Sequence, residues 1–469
     1  MVELLSPAGN FISLRAVLEN GADATYFGLD DFNMRANAKN FSLNDLSEVS
    51  KIAKEYSAKT YLCSNVVLNE DRAMELKNNL GEIAASEIDG IILSDIGLIE
   101  EVVGNGLEAH ISVQENISNS FILKTLKRLG AKRAILSREL SLEDIKKTVK
   151  NSPIETEVFI HGAMCMAISG RCFLSSGLYG RSANCGDCLQ PCRKNWTMTF
   201  EEDNNDSVIN LSEVNDESFV ISKSYDDSYR TNFFSPKDMM MIEHIPELIE
   251  AGIDSFKIEG RARSPDYGAM VTDVYRQAID KYYECPKEYK INPQWIEELK
   301  SVFNRGFDTG FYFNTPFETS ENNQSKFIKK DIGQVVNYFN KVKVAELKIW
   351  DDLAIGDEIL IQGKTTGSIK HKIDSMQING ENVENVENEE FGTDGGKNTQ
   401  DKVFLMNEPE FAKYKKKLKA KAKTMRLRTP GKDATATTYV SALGDIITYG
   451  FPVDENGACI RPTMWVNLK

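Results

Sequence analysis

The sequence predicts an α/β chain built as a (β/α)8, TIM-like barrel and followed by a small C-terminal β-barrel domain. Three observations predict it. Short β-rich runs alternate with helical patterns over residues 1–285, they do so at the spacing of βα units, and from about Phe327 the pattern becomes short alternating strands with Asn, Gly and Asp turns.

The expected barrel strands are ELLSP from Glu3, ATYFGL from Ala24, KTYLCSNVV from Lys59, GIILSD from Gly90, EAHISVQ from Glu108, RAILSREL from Arg133, ETEVFIHG from Glu155 and SFKIEGR from Ser255. Helical patterns lie between them: FISLRAVLEN after Gly9, then segments from Ser42, Glu70, Ser118 and Ser141, and DMMMIEHIPELIEAG from Asp238. Ser42 and Ser141 stand where an N-cap is wanted. An open doubly wound sheet is the alternative, but Ser6-Pro7-Ala8-Gly9 is not the Gly-rich first turn it would carry. The domains expected are therefore a barrel over 1–285 with a long loop after the seventh strand, a bridging helical segment over 286–326, the small β-barrel over 327–410, and a basic C-terminal extension over 411–469.

A formal charge of -14 excludes a protein that coats nucleic acid or anionic membrane with its whole surface. It leaves room for a local patch: Lys413 to Arg428 holds nine Lys/Arg and no acid. Acidic stretches at Glu201–Asp227 and Glu381–Asp394 read as solvated loops. The N-terminus MVELLSPAGN has neither the basic nor the apolar region of a leader, and no apolar run approaches the roughly 18 residues that span a bilayer. A cytoplasmic chain without membrane contact is expected.

Five of the eight cysteines fall between Cys165 and Cys192, all in the connection after the seventh strand. In a reducing compartment such a group holds metal or does redox chemistry more readily than it forms disulfides. Taking Cys165, Cys172, Cys188 and Cys192 gives six, fifteen and three intervening residues, an irregular spacing unlike the paired CxxC of a zinc ribbon. Zinc and an iron-sulfur cluster both remain open on spacing alone. The position, at the end of a strand where barrel enzymes place their chemistry, shifts the balance toward a working site.

EVFIHGAMCMAISGRCFLSS with GRSANCGDCLQPCR resembles the signature of peptidase family U32, the collagenase-like peptidases, several of whose members are RNA or quinone hydroxylation proteins. The likeness extends through SPAGN, SVQENISNS, LSREL and FFSPKDMMMIEHIPELIEAGIDSFKIEGRARSPDYGAMVTDVYRQAID, over about residues 1–285, and the small β-barrel resembles the family's usual C-terminal module. The resemblance implies a 4Fe-4S cluster on Cys165, Cys172, Cys188 and Cys192, with zinc as the alternative metal. Cys185 departs from the family pattern and is a spectator or an alternative ligand. It also implies tRNA or rRNA as partner, a small anionic oxygen donor such as prephenate, and homo- or hetero-oligomers.

Barrel enzymes draw their other site residues from the ends of several strands. Glu157, His161, Lys257 and Glu259 are the catalytic candidates, and Asn65, His110, Gln114, Arg138 and Arg261 the substrate-binding ones. Lys257, Glu259 and Arg261 share one strand face, which puts charge into the barrel mouth unless an internal ion-pair network uses it. Arg138 and Arg261 suit bidentate binding of carboxylate or phosphate.

The leading reading is an iron-sulfur enzyme of oxygen-independent RNA hydroxylation, at a tRNA uridine. A peptidase ranks second, because the chain carries no HExxH or GxSxG and its His161/Cys165 neighbours involve a proposed ligand. A radical enzyme using S-adenosylmethionine ranks third, since the order here is CxxCxxxC. A zinc-stabilised RNA-binding module is the non-catalytic alternative.

Overall fold

The computed structural model describes residues 1–30, 32–34, 40–203, 206–213, 229–232, 234–316, 318–320, 323–378, 381–386, 425–430, 436–440 and 446–452. The barrel strands are β1 (Glu3–Pro7), β2 (Ala24–Gly28), β3 (Lys59–Ser64), β4 (Gly90–Leu93), β5 (Glu108–Ile111), β6 (Arg133–Ile135), β7 (Glu155–Ala163) and β8 (Ser255–Ile258). Each pairs in parallel with the next, and Glu3↔Ser255 between β1 and β8 closes the ring. The helices are α1 (Phe11–Glu19), α2 (Leu46–Glu55), α3 (Glu70–Ala85), α4 (Ile99–Gly104), α5 (Ser120–Leu129), α6 (Leu142–Lys150), α7 (Ile245–Glu250) and α8 (Pro265–Glu284).

Polar caps start these helices where the sequence breaks its apolar runs. Asn10, Asn69 and Ser141 accept the N–H of Ser13, Arg72 and Asp144 at 2.9, 3.0 and 3.2 Å. Ser42 works the other way round, donating its N–H and hydroxyl to Asp45 at 2.8 and 2.7 Å. α4 escapes a periodicity search because it is only six residues long.

Asp23, Asp89 and Asp254 each enter a strand and accept the backbone N–H of the preceding one, at Leu4, Thr60 and Thr156, all at 2.8 Å. These three contacts latch the N-terminal end of the barrel.

Ser6 meets Thr272 of α8 at 2.8 Å, so even residues of β1 face the helices while Glu3 and Leu5 face the interior. That interior is filled by an ion network. Arg133 donates to Glu155 at 2.8 Å and Glu157 at 3.2 Å and also pairs with Glu3; Lys257 donates to Glu157 at 2.9 Å. Tyr61 and Ser255 donate to Glu3 at 3.2 and 3.0 Å. The Lys257 ammonium lies 4.2 Å from the Tyr26 ring centre. Burial would raise the Glu157 carboxyl, but Lys257 and Arg133 hold it below the usual carboxylate range.

The helix expected from Asp238 starts later than the sequence suggests. Asp238–Met240 runs antiparallel to the end of β7, with Asp238↔Ala163 and Met240↔His161, and Phe307–Asp308 adds beside it. Sheet hydrogen bonds take that backbone, and α7 begins only at Ile245, with Pro246 in its first turn. The acidic insertion contains an antiparallel sheet of Trp196–Asp203, Asp206–Glu213 and Tyr229–Thr231.

The chain divides into two units, residues 1–328 with 360–370, and 329–359 with 371–469. In the second, Gly333–Phe339 pairs with Val344–Ile349, Leu353–Ala354 with Asn385–Val386, and Met376–Ile378 with Glu381–Val383, all antiparallel. Met425–Pro430, Ala436–Val440 and Ile446–Pro452 form a three-stranded sheet. The expected strand DKVFLM and the basic run as far as Lys423 lie outside the described residues.

Removing one partner of a buried ion network strands the others. Arg133→Met is expected to cost about 3–5 kcal/mol of stability, read from urea unfolding; a loss no larger than that of an exposed substitution would show that Glu3 and Glu157 do not depend on it.

Candidate functional site

β7 is nine residues long and outruns its neighbours. The pairing of β8 with β7 shifts register between Lys257 and Ile258, and beyond it Gly162 sits at φ +108° with room for no side chain: a Cβ there would lie 2.5 Å from the Glu259 carbonyl. The chain then turns over the C-terminal mouth of the barrel and delivers the cysteines.

Their loop is pinned to three strand ends. Asn184 accepts the Cys172 N–H at 3.3 Å through its side chain and the Val67 N–H at 2.9 Å through its carbonyl. Asn116, after β5, donates to the Ser169 carbonyl at 2.9 Å. Gly186, at φ +92°, lets the loop lie against the Asn33 carbonyl, which a Cβ would approach to 2.3 Å. Gln190, at φ +54°, turns its N–H onto the Cys188 sulfur at 3.3 Å. Arg193 clasps the far side, donating to Ser235 at 3.0 Å, to the Pro236 carbonyl at 2.6 Å and to the carbonyl of Met164, next to Cys165.

Burial pushes the Cys192 thiol up to about 11; Arg193 opposes this, and the thiols of Cys165, Cys188 and Cys172 add to it. These are the three cysteines expected to act with it. Cys185 is exposed in the short turn Ala183–Cys185. Among the described residues no three His, Cys, Asp or Glu side chains are gathered closely enough for one metal ion. Tetrahedral zinc, with Zn–S near 2.3 Å, would need sulfurs within about 4 Å of one another.

Beside this loop a cleft of about 360 Å³ opens between the ends of β3, β4 and β5, lined by Asn65, Asp95, Gln114, Glu115, Gly170 and Asn184 among others. Asn65 and Gln114 are thus brought together with the cysteine loop. Asn65 accepts the Met34 N–H at 3.2 Å, and Gln114 Oε1 is buried without a partner. Glu115 and Asp95 were not expected here. Burial raises the Glu115 carboxyl, partly offset by Arg171; its place inside SVQEN, four residues past β5, was the available signal.

Arg261 and Arg138 reach the barrel mouth. Arg261 crosses Gly28, where a Cβ would stand 2.3 Å from its Nη1, and donates to Asn33 at 2.7 Å; Nη1 itself is buried without a partner. Arg138 stacks 3.9 Å from the Phe159 ring centre, donates to the Ala163 carbonyl at 3.0 Å and lies 3.9 Å from Glu259.

Other candidates are placed elsewhere. Glu157 and Lys257 belong to the interior network at the level of Arg133. His110 is fully buried beside them, 3.1 Å from Glu108 and packed on Tyr61 at 4.4 Å; burial lowers its imidazole despite that carboxylate. His161 lies outside the lumen altogether. The register shift turns it toward α8, 3.3 Å from the Tyr275 hydroxyl and among Tyr267 and Phe307, and burial pushes it down to about 3. Glu157 is thus engaged in the interior ion network and His161 in packing against α8.

A model of peptidase family U32 matches residues 9–322. The chain belongs to peptidase family U32. Its U32 relatives include an uncharacterised protease of Methanocaldococcus jannaschii, 46% identical over 82% of this chain and 92% of that protein. Another is tRNA hydroxylation protein P1 of Bacillus subtilis, 34% identical over 80% and 86%. A third is a collagenase of Porphyromonas gingivalis, 34% identical over 81% and 91%. No helix among the described residues is long and apolar enough to cross a membrane.

The neutral His161 carries a pH signature. Unfolded, it takes a proton below about 6.5, whereas folded it does so only near 3, so its stability contribution is present above 6.5 and lost as pH falls. Each unit between costs about 1.4 kcal/mol. His161→Gln is expected to remove that slope from urea midpoints measured between pH 6.5 and 5; an unchanged slope would mean the native imidazole is already charged.

Proposed function

We propose that this chain is an iron-sulfur enzyme of tRNA modification that hydroxylates a uridine without molecular oxygen, using a small anionic oxygen donor. The observation that carries the reading is the set of Cys165, Cys172, Cys188 and Cys192 held over the barrel mouth beside a polar cleft. Four soft thiolates in one loop suit a 4Fe-4S cluster. When bound, such a cluster supplies a redox-active, electrophilic iron centre.

The chain's own residues do the rest. Gln190 donates its N–H to Cys188, and Arg193 fixes the segments carrying Cys165 and Cys192 to each other. The amides of Asn65 and Gln114 offer the donor and acceptor pattern that a uracil edge requires, and the Glu115 carboxyl, raised by burial, lines the same cleft. A barrel mouth admits a base only once it has left its stack. Arg261 and Arg138 place positive charge at the mouth, and Glu259 beside Arg138 fixes its direction. Relatives named for tRNA hydroxylation support the choice of tRNA.

The collagenase and protease names favour a peptidase instead. That reading needs a base beside a nucleophile. Among the described residues no hydrogen bond joins a histidine to a cysteine: His110 and His161 are sealed in the barrel wall, and His244 lies 3.3 Å from Glu247.

Anaerobic purification with iron, sulfide and zinc quantified, alongside nucleoside mass spectrometry of RNA from a deletion strain, tests the proposal. Iron and sulfide together with loss of a hydroxyuridine are expected. Cys165→Ser should lose the iron and Cys185→Ser should keep it. Stoichiometric zinc without sulfide overturns the cluster, and an unchanged hydroxyuridine and hydroxycytidine profile overturns the RNA reaction.

A further inference from the structure

On the flank of the cysteine pocket, between the loop after β8 and the segment that follows helix Pro293–Ser301, two guanidinium groups share one aromatic ring. Arg263 Cζ lies 3.6 Å and Arg305 Cζ 4.9 Å from the Phe303 ring centre. Arg305 is 7% exposed, and its Nη1 is 3.4 Å from Asp238. Arg193 stands alongside, two residues of chain away from Asp238 through its bond to Pro236.

The charges do not balance. Arg193 has three acceptors and faces the thiols of Cys192 and Cys165. Arg305 has Asp238. Among the described residues the Arg263 side chain has the Phe303 face and no carboxylate or hydrogen-bond acceptor within reach. Asp238 is the carboxylate that acts on all three arginines, and burial together with Arg305 lowers the Arg263 guanidinium. The neighbouring Tyr267 hydroxyl stays neutral, because burial raises it. Arg263 is half-buried, and a guanidinium without its own carboxylate gains from a ligand that brings the missing anion.

We propose that Arg263 and Arg305 form a binding site for the carboxylate of a small organic anion, with Phe303 as its floor. A ring beneath a guanidinium holds the plane and leaves the N–H edges free, which is the arrangement a carboxylate takes bidentately. The half-buried to buried position of the pair excludes an RNA backbone, whose phosphates are met by exposed cations. The inference deepens the preceding reading, on which it rests for its purpose: it gives the anionic oxygen donor a place beside Cys192 that is separate from Arg138 and Arg261.

The test is calorimetric titration of the metal-loaded protein with benzoate and phthalate, with inorganic phosphate and a tRNA transcript as the other arms. Benzoate or phthalate should bind saturably. Arg263→Gln should weaken binding at least about tenfold, the loss of one charge-assisted hydrogen bond, and Arg263→Lys should weaken it less. Should Arg263→Gln fail to fold, the wild-type protein still decides: benzoate should protect Arg263 from phenylglyoxal, read by peptide mass spectrometry. Equal binding by wild type and Arg263→Gln, no protection of Arg263, or protection by tRNA and not by carboxylates overturns the site. Iron content and hydroxyuridine are measured in the same preparations. Absence of iron, or hydroxyuridine unchanged in the deletion strain, with carboxylate binding intact would count against the hydroxylase reading alone, and the reverse against this site alone.

Discussion

One misfit between two strands organises the working end of this molecule. β7 is longer than the barrel requires, and β8 matches it only as far as Lys257. Past that point the two strands slip, and the surplus of β7 pairs with Asp238–Met240 instead. The slip aims His161 outward, brings Gly162 against the Glu259 carbonyl and launches the chain across the mouth. Cys165 follows directly. A regular β7 would end level with its neighbours and leave the cysteine loop without its anchor at Met164.

The barrel keeps its lower and upper halves chemically apart. Below, Glu3, Glu155 and Glu157 are answered by Arg133 and Lys257, so the charge there is spent on holding the interior together. Above, Arg261 Nη1 and Gln114 Oε1 are left unanswered. Groups of the same kind therefore have different meanings according to height along the strands: paired ones stiffen the scaffold, and unpaired ones face the place where a ligand enters.

The eight strands were legible because each is a short apolar run between clear caps, and backbone pairing needs little more than that. The cysteine group was legible because five of the eight cysteines fall between Cys165 and Cys192. Direction was not. His161 and Glu157 lie on the same strand as the pocket, and alternation alone places them inside; only the slip opposite Ile258 shows that one of them faces a helix. Glu115 was hidden because its altered proton affinity comes from burial by the returning cysteine loop, a contact between segments far apart in the chain. Arg263 does not stand out in the sequence for a similar reason, since its partners Phe303 and Arg305 come from beyond the expected barrel boundary.

The aspartate latches at the bottom of the barrel carry a consequence for the order of assembly. Those at Asp23 and Asp89 close over 19 and 29 residues, whereas Asp254 closes over 98, because the cysteine insertion lies inside that loop. Loop-closure entropy makes the third about 1 kcal/mol harder to form than the second. Local contacts form first. The seam that carries the cysteines is thus joined after those at β1–β2 and β3–β4, and the ring itself closes only at β1–β8, over 252 residues, so the cysteine loop reaches its final shape late in assembly.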